Sequence, residues 1–278
     1  NLFPLTYKPG VKRDGTKFQS EYCTDGQWIR FQRGIVKKIG GMFGNVGFPF
    51  DVADPATAGN IPGILLVSST TSTNFYAYIG TSLNNSSRVY KETFTSQANF
   101  SELNKELITP DLGPKTAFMW QFETVIRDGV KNIVCFGADN AANIAQNAAP
   151  IVYAGPVQAA PGTQLTLVAG INPLANGGIC YSNPYLFVYG SNGYVGYSRP
   201  ADPLVFDGAG SGSLTISNDK VIFGSAIRGG SNSPSLLFWT LGSVVKVTNV
   251  GDVAVNFKID VISKSSSILS SRCVVEYD

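Results

Sequence analysis

Short apolar, β-branched and aromatic runs recur along the chain, and turn-forming residues separate them. The runs lie at residues 64–67, 75–79, 88–94, 130–136, 164–168, 185–189, 194–197, 221–223, 236–239, 244–247 and 253–259. Between them lie clusters rich in Asn, Gly, Asp and Ser, such as Asn84-Asn85-Ser86 and Ser191-Asn192-Gly193, which favour tight turns. This pattern predicts an all-β fold of antiparallel short-strand sheets, as in a sandwich, barrel or propeller.

A repeated spacing favours the propeller among these folds. Residues 187–198 predict a hairpin with a tight Asn192-Gly193 turn, and residues 236–247 predict a second hairpin further along. The interval between them is about fifty residues, which is enough for one four-stranded blade. We therefore expect antiparallel sheets arranged as propeller blades.

Two stretches interrupt the rhythm of strands, and we predict loop insertions there, near residues 51–60 and 138–160. A single candidate helix, around Phe100 to Ile108, is too short to shape the fold. The whole chain, residues 1–278, is expected to form one all-β propeller-like domain. Its last residues, Ile268 to Asp278, have the pattern of a strand entering a turn, which predicts a domain that continues beyond this sequence.

Residues 27–41 predict a two-stranded hairpin near the N-terminus. Ile29 and Phe31 alternate with polar residues, Arg33-Gly34 supplies the turn, and Gly40-Gly41 ends the returning strand. Strand alternation places Phe31 and Arg30 on opposite faces. We expect an apolar set in the core and a basic set facing solvent, a partner subunit or a channel. The apolar set is Trp28, Phe31, Ile35 and Ile39. The basic set is Arg30, Arg33, Lys37 and Lys38.

Charge is scarce and unevenly placed. Charged residues make up 14% of the chain, against roughly 25% in a typical soluble domain, so we favour burial in an assembly over a neutral protein kept soluble by Asn and Ser. Residues 1–40 carry a net charge of +5 and the remainder −3. The basic region contains the candidate partner- or DNA-facing residues Lys12, Arg13, Arg30, Arg33, Lys37 and Lys38. The alternative is that these side chains only protect an exposed strand edge.

The residue types argue against catalysis. The chain has no histidine, which removes the usual general base, and its four cysteines, Cys23, Cys135, Cys180 and Cys273, have no metal-ligand spacing. We expect no catalytic residue, metal or cofactor. The cysteines could form one or two disulfides, but we favour reduced cysteines in the core, which suit a cytoplasmic folding compartment. Asp202 and Asp207 could form a carboxylate pair for glycoside hydrolysis, but acids beside Pro and Gly are typical turn residues. The longest apolar run, residues 61–67, is too short to span a bilayer.

Three stretches resemble one protein family. The run W-I-R-F-x-x-G-x-x-x-K-I-G-G resembles the opening of the tail hub (nozzle) β-propeller proteins of short-tailed bacteriophages. Its family-like residues here are Trp28, Arg30, Phe31, Gly34, Lys38, Ile39, Gly40 and Gly41. The stretch G-S-N-G-x-V-x-Y-S-x-P-x-D-P, from Gly190 to Pro203, is similar to the blade edges of that family. The stretch I-L-S-S-R-C-V-V-E-Y-D, from Ile268 to Asp278, is similar to the start of a further blade.

This resemblance implies a virion structural protein and not an enzyme. Such proteins form a ring of identical copies, commonly six, below the portal and adaptor. The ring extends the conduit for double-stranded DNA, helps to retain the packaged genome and seats the fibres or needle. The chain would assemble in the host cytoplasm and reside in the virion tail. It would lie close to double-stranded DNA without recognising a specific base sequence, and it would not insert into a membrane.

The alternative function is a glycan- or receptor-binding β-propeller adhesin. In that case Trp28, Trp120, Trp239 and the many tyrosines would stack on sugar rings. Aromatic residues exposed on the loops of the blades would favour the adhesin, whereas aromatic residues buried between sheets would favour the scaffold.

Overall fold

The computed structural model describes residues 29–32, 35–38, 60–68, 74–82, 87–95, 106–110, 118–139, 150–227, 235–251, 257–268 and 274. The chain divides into two units, Asn1–Val46 and Gly47–Asp278, and each is described by itself. In the first unit, β1 (Ile29–Gln32) and β2 (Ile35–Lys38) form an antiparallel pair in which Phe31 lies opposite Val36. The hairpin predicted at this place is confirmed in its backbone.

In the described residues of the second unit there are four antiparallel sheets of four strands each, and every sheet is made of consecutive strands. The first sheet consists of β3 (Asn60–Ser68), β4 (Asn74–Ser82), β5 (Ser87–Thr95) and β6 (Glu106–Leu107). The second consists of β7 (Phe118–Arg127), β8 (Val130–Asp139), β9 (Ile151–Pro156) and β10 (Thr166–Leu167).

The third and fourth sheets repeat this order. The third consists of β11 (Gly178–Ser182), β12 (Tyr185–Tyr189), β13 (Tyr194–Tyr197) and β14 (Gly212–Thr215). The fourth consists of β15 (Val221–Ala226), β16 (Ser235–Thr240), β17 (Val244–Asn249) and β18 (Phe257–Ser263). The second strands of the four sheets begin at Asn74, Val130, Tyr185 and Ser235, which gives intervals of 50 to 56 residues.

The sheets are blade-like, because their first strands are neighbours. Strand β3 lies beside β7, β7 beside β11, and β11 beside β15, so these four are the inner strands. The fourth strand of each sheet lies furthest from this inner row. The predicted all-β, antiparallel, blade-like architecture is confirmed. Among the described residues the helical content is a single 3₁₀ turn, Ser191–Gly193.

The hydrophobic core consists of three layers, and each layer fills the seam between two consecutive sheets. Trp120, Ile133 and Cys135 of the second sheet pack against Tyr78 and Val89 of the first. A second cluster fills the seam between the second and third sheets, and a third fills the seam between the third and fourth. Stacking of sheets, and not closure of one large sheet, therefore buries the apolar surface.

A middle sheet has to be apolar on both faces. Along β8, Ile133 and Cys135 belong to the first seam, whereas Val134 and Phe136 belong to the second. All four side chains are at most 1% exposed. Strand β8 therefore shows a continuous apolar run instead of the alternation typical of a half-buried strand. Within the described residues no helix has the length and apolarity needed to cross a membrane.

The tight turn predicted between β12 and β13 is confirmed. Asn192 and Gly193 both adopt positive φ angles, 56° and 65°. A Cβ atom at position 193 would lie 1.8 Å from the carbonyl oxygen of Ser217. Glycine is required there because the backbone is left-handed and the neighbouring loop leaves no room.

Two predictions about local structure are wrong where the structure describes them. Glu106 and Leu107, at the end of the predicted helix, form β6. The loop predicted at 138–160 contains the end of β8 and the whole of β9, because Val152 and Ala154 pack into the second seam and Tyr153 into the first. The remaining parts, residues 51–59, 100–105 and 140–149, lie outside the described residues. The single domain stays a prediction.

Strands β10 and β18 differ in extent from their predicted runs and, in addition to β6 and β9, three strands were not predicted. Strand β10 is shorter than the run 164–168, and β18 continues past the end of the run 253–259 to Ser263. These three unpredicted strands are β7, β11 and β14. Polar residues interrupt β7, whereas β14 is short and largely exposed. Strand β11 has five residues and contains a glycine.

The first testable prediction concerns the aromatic packing in the third seam. Phe187 is 1% exposed, and its ring centroid lies 6.3 Å from that of Phe238 and 5.5 Å from that of Phe257. Phe187→Ala should lower the free energy of unfolding by about 3–5 kcal/mol, because it leaves a cavity between two sheets. Urea denaturation measures this loss.

The control is Leu241→Ala in the turn between β16 and β17, where the side chain is 47% exposed. It should change the free energy of unfolding by less than about 0.5 kcal/mol. Equal losses in the two variants would show that the third seam is not a packed core.

Candidate functional site

The residues predicted from the basic hairpin are described only in part. Arg30, Phe31, Lys37 and Lys38 lie on β1 and β2, where Arg30 is opposite Lys37. The placing of Arg30 and Phe31 on opposite faces stays a prediction from strand alternation. The packing of Phe31 and Ile35 in the core likewise stays a prediction. Lys12, Arg13, Trp28, Arg33, Gly34, Ile39, Gly40 and Gly41 lie outside the described residues.

The best-defined polar constellation of the second unit lies at the inner end of the seam between the second and third sheets. Strand β11 pairs with β12 on one side, and its other edge faces β7. The side chain of Gln121 on β7 binds this edge at both ends of its amide group. Its Nε2 donates to the carbonyl oxygen of Gly177 at 3.2 Å, and its Oε1 accepts from the N–H of Ile179 at 3.3 Å. The side chain takes the place of a neighbouring strand.

Glu123 continues this arrangement two residues along β7. Its carboxylate accepts the N–H of Thr124 at 2.9 Å and also the N–H of Tyr181 on β11. Burial raises the pKa of Glu123, and the two backbone donors partly oppose that shift. Glu123 is thus a half-buried acid satisfied by backbone donors, which is a structural use of a carboxylate.

Sequence reasoning missed Gln121 and Glu123. The available signal was two polar residues, spaced by two, within the otherwise apolar stretch from Phe118 to Glu123. That spacing puts both side chains on one face of the strand. It does not identify the edge of β11 as their partner, because β11 lies more than fifty residues away in the chain.

The two cysteines of the described core are free, buried thiols. Cys135 lies in the first seam and Cys180 in the third. Burial raises the pKa of both thiols, and the nearby carboxylate of Glu123 adds to the shift at Cys180. Such thiols are poor nucleophiles. For these two residues the predicted position in the core is confirmed.

The third sheet is joined to the second by an ion pair near the outer loops. In the loop between β13 and β14, Oδ1 of Asp202 accepts the N–H of Leu204 at 3.0 Å. Its Oδ2 accepts from Nη2 of Arg127, at the end of β7, at 2.6 Å. Asp202 therefore closes its own turn and also binds the neighbouring sheet.

The rest of the S-x-P-x-D-P stretch also has structural contacts. Ser198 is fully buried, its Oγ accepts the N–H of Leu186 at 2.9 Å, and its own N–H donates to the carbonyl oxygen of Leu186 at 2.9 Å. Arg199 binds the backbone carbonyl and the side chain of Asp207. Asp202 and Asp207 are thus each paired with an arginine and act as turn residues.

A shallow groove of about 370 Å³ lies beside the ion pair between Arg127 and Asp202. Its lining comes from the turn between β7 and β8, from β9 and β10, and from Leu204 of the third sheet. The lining combines apolar side chains, including Val130 and Leu167, with the paired Arg127. It contains no cysteine or histidine, and none of its residues forms a nucleophile–base pair. Among the described residues no three His, Cys, Asp or Glu side chains are grouped for a metal ion.

A buried lysine strengthens the first seam. Nζ of Lys91 donates to the carbonyl oxygen of Ala159 at 3.2 Å and lies 4.8 Å from the ring centroid of Tyr76. Burial lowers the pKa of Lys91, and the carboxylate of Glu106 opposes the shift. These contacts bind the segment after β9 to the first sheet.

Large aromatic side chains lie between the sheets. Trp120, Tyr78, Tyr189, Phe136 and Phe238 are all at most 2% exposed. Trp120 rests on Gly80 of β4 so closely that a Cβ atom there would be 2.4 Å from the indole Cγ. Trp239 is half-buried, with its ring centroid 5.6 Å from that of Phe223. Trp28 lies outside the described residues.

Comparisons with known proteins identify no family for this chain. No protein-family model matches the chain, and no curated protein matches it. Among solved structures it is similar to one described as the crystal structure of polysaccharide lyase Uly1, with a TM-score of 0.40 and 8% sequence identity. The match covers 73% of this chain and 49% of that one, so this chain spans about half the length of the lyase structure.

The second testable prediction concerns the pH dependence of stability caused by Glu123. Because burial raises its pKa in the folded state, the folded protein binds this proton more tightly than the unfolded chain does. Its contribution to stability is therefore greatest at low pH. It is lost as pH rises from the ordinary pKa of a glutamate through the raised value.

Glu123→Gln should remove this dependence. The free energy of unfolding of the wild type, minus that of the variant, should decrease with increasing pH, as measured by urea denaturation over the acidic to neutral range. A difference that stays constant or increases with pH would contradict the prediction.

The third testable prediction compares the two loop aspartates. Asp202→Ala removes one hydrogen bond to a backbone N–H, worth roughly 0.5–1.5 kcal/mol, and a partly exposed ion pair, worth roughly 0.2–1 kcal/mol. We expect a loss of about 1–2 kcal/mol in thermal or urea unfolding. The side chain of Asp207 is 79% exposed, and Asp207→Ala should change stability by less than about 0.5 kcal/mol. A larger loss of stability for Asp207→Ala than for Asp202→Ala would contradict the prediction that Asp202 is the more important of the two.

Proposed function

We propose that this chain is a structural protein in the tail of a short-tailed bacteriophage, where it is a component of the tail hub (nozzle). In this proposal identical copies, commonly six, form a ring below the portal and adaptor. The ring forms part of the DNA conduit and helps to retain and deliver the genome. The protein has no catalytic activity, and it resides in the virion tail.

The burial of the large aromatic side chains is the observation that best supports a scaffold. A protein that recognises sugars needs aromatic faces open to solvent. Trp120 is 2% exposed and packs against Gly80, so it offers no such face. The polar side chains at the second seam also bind the backbone of the protein itself. Both features make the row of sheets rigid, as the wall of a conduit requires.

The assignment to a phage tail rests on the resemblance of Trp28 to Gly41 and of Gly190 to Pro203 to the tail hub family. In the second of these stretches Ser198 accepts the N–H of Leu186, and Asp202 pairs with Arg127 of the second sheet. The basic N-terminal region, with Lys37 and Lys38, would contact a neighbouring copy or the acidic backbone of DNA. The low charge of the rest of the chain suits a channel through which DNA must slide.

The fourth testable prediction concerns assembly. Electron microscopy of the purified chain should show closed rings of identical copies. Lys37→Ser combined with Lys38→Ser should weaken ring formation and leave the unfolding transition unchanged. Lys264→Ser, at an exposed position after β18, is the matched control and should leave the rings intact.

Two results would contradict the proposal. One is a protein that stays monomeric in the wild type under all assembly conditions. The other is turnover of a polysaccharide, or tight binding to an immobilised glycan. Binding without turnover would favour the adhesin, whereas turnover would favour an enzyme.

A further inference from the structure

Strand β18 differs from the other outer strands. It has seven residues, whereas β6, β10 and β14 have two, two and four. In the part of the chain that the structure describes, no strand pairs with its outer edge. Three aliphatic side chains on it are exposed, at 39% for Ile259, 48% for Val261 and 60% for Ile262. An exposed apolar edge of this length is a template for a further strand.

The sequence of β18 is self-complementary when it runs antiparallel to itself. Phe257-Lys258-Ile259-Asp260-Val261 has an apolar residue at its centre and at both ends, with a cation and an anion between them. If a two-fold axis passes beside Ile259, Lys258 of each copy lies opposite Asp260 of the other. Opposite charges at directly paired positions stabilise a sheet, and like charges destabilise it.

We propose that two copies of this chain associate by antiparallel pairing of their β18 strands, with Ile259 at the two-fold axis. The fourth sheets of the two copies then form one continuous sheet. The other occupants of this edge, an unrelated extended peptide or no partner at all, are outcomes of the tests below.

The positions of the charged residues favour this register over the two adjacent registers. A pair centred on Lys258 would put two lysines opposite each other, and a pair centred on Asp260 would put two aspartates opposite each other. Within one copy Nζ of Lys258 is already 3.1 Å from Oδ1 of Asp260, and the two side chains are 64% and 41% exposed. In the register centred on Ile259 each charge gains a second opposite charge.

The contact is expected to be weak and separate from any ring. Pairing through five residues gives an interface well below the roughly 1,000 Å² that stable complexes usually bury. A two-fold contact is also isologous and cannot by itself close a ring of six. The proposal therefore does not depend on the proposed function, and either can fail alone.

Disulfide trapping tests the register directly. Ile259→Cys puts two cysteines at the axis, where directly opposite Cα atoms are about 4.5–5.5 Å apart, within the range that a disulfide bridges. Val261→Cys is the matched control at a similarly exposed position. Its two copies would be about 13 Å apart, from four residues at 3.3 Å each. Both variants are made with Cys23→Ser and Cys273→Ser.

Under mild oxidation the Ile259→Cys chain should form a covalent dimer on non-reducing gels, and the Val261→Cys chain should stay monomeric. No dimer from Ile259→Cys, or equal dimer from both variants, would overturn the proposal. A dimer from Val261→Cys alone would overturn the register and with it the role of the charges.

A charge swap tests the same contact without a covalent bond. Sedimentation equilibrium at high protein concentration should show a monomer–dimer equilibrium for the wild type. Lys258→Glu should weaken the dimer about tenfold, since two like-charge contacts together cost about 1.4 kcal/mol. Lys258→Asp combined with Asp260→Lys should restore it, because both the internal and the intermolecular pairs are re-formed. A wild type that is monomeric at every concentration, or a swap that restores nothing, would overturn the proposal.

Discussion

Burial of both faces of each middle sheet is the constraint on which the rest of this structure depends. Antiparallel sheets often leave one face in water, but here the second and third sheets are each covered on both sides. Adjacent residues of one strand, such as Val134 and Cys135, therefore belong to different cores. The edge of β11 that faces β7 also has no strand partner. Gln121 and Glu123 compensate for this at β11, because their side chains supply the missing hydrogen-bond partners.

The same constraint explains which elements could be predicted from the sequence. The hairpin from β12 to β13 was predictable, because Asn192 and Gly193 combine a turn signal with apolar runs on either side. The inner strands β7 and β11 were not, since β7 includes Gln121 and Glu123, and β11 contains Gly178, where a Cβ atom would lie 2.3 Å from the amide oxygen of Gln121. Their sequences are adapted to a neighbouring sheet and not to a half-buried strand. A strand pattern based on one buried face therefore fails at the seams.

The candidate site shows a similar division. The Asp202-Pro203 dipeptide was recognisable as a turn, and Asp202 does accept the N–H of Leu204. Its second contact, with Arg127, crosses 75 residues of sequence and follows from the stacking of the second and third sheets. Local chemistry therefore predicted the turn, whereas the bridge needed the tertiary structure. The basic hairpin is the reverse case, because its residue pattern carried the functional hypothesis, whereas the structure describes only the antiparallel pairing of its two strands.

Shifted pKa values often mark catalytic sites, but here each has a structural cause. Tyr78 is buried and donates to the carbonyl oxygen of Val157 at 3.2 Å, and its pKa is raised chiefly by that burial. The pKa of Cys180 is raised for the same reason, and this thiol lies within the third core. A general acid or nucleophile must reach a substrate, and neither of these buried groups can do so without opening a seam. Glu123 is half-buried, yet its carboxylate already accepts two backbone N–H groups. Tyr78 and Glu123 thus bind one sheet to the next, whereas Cys180 fills part of the third core.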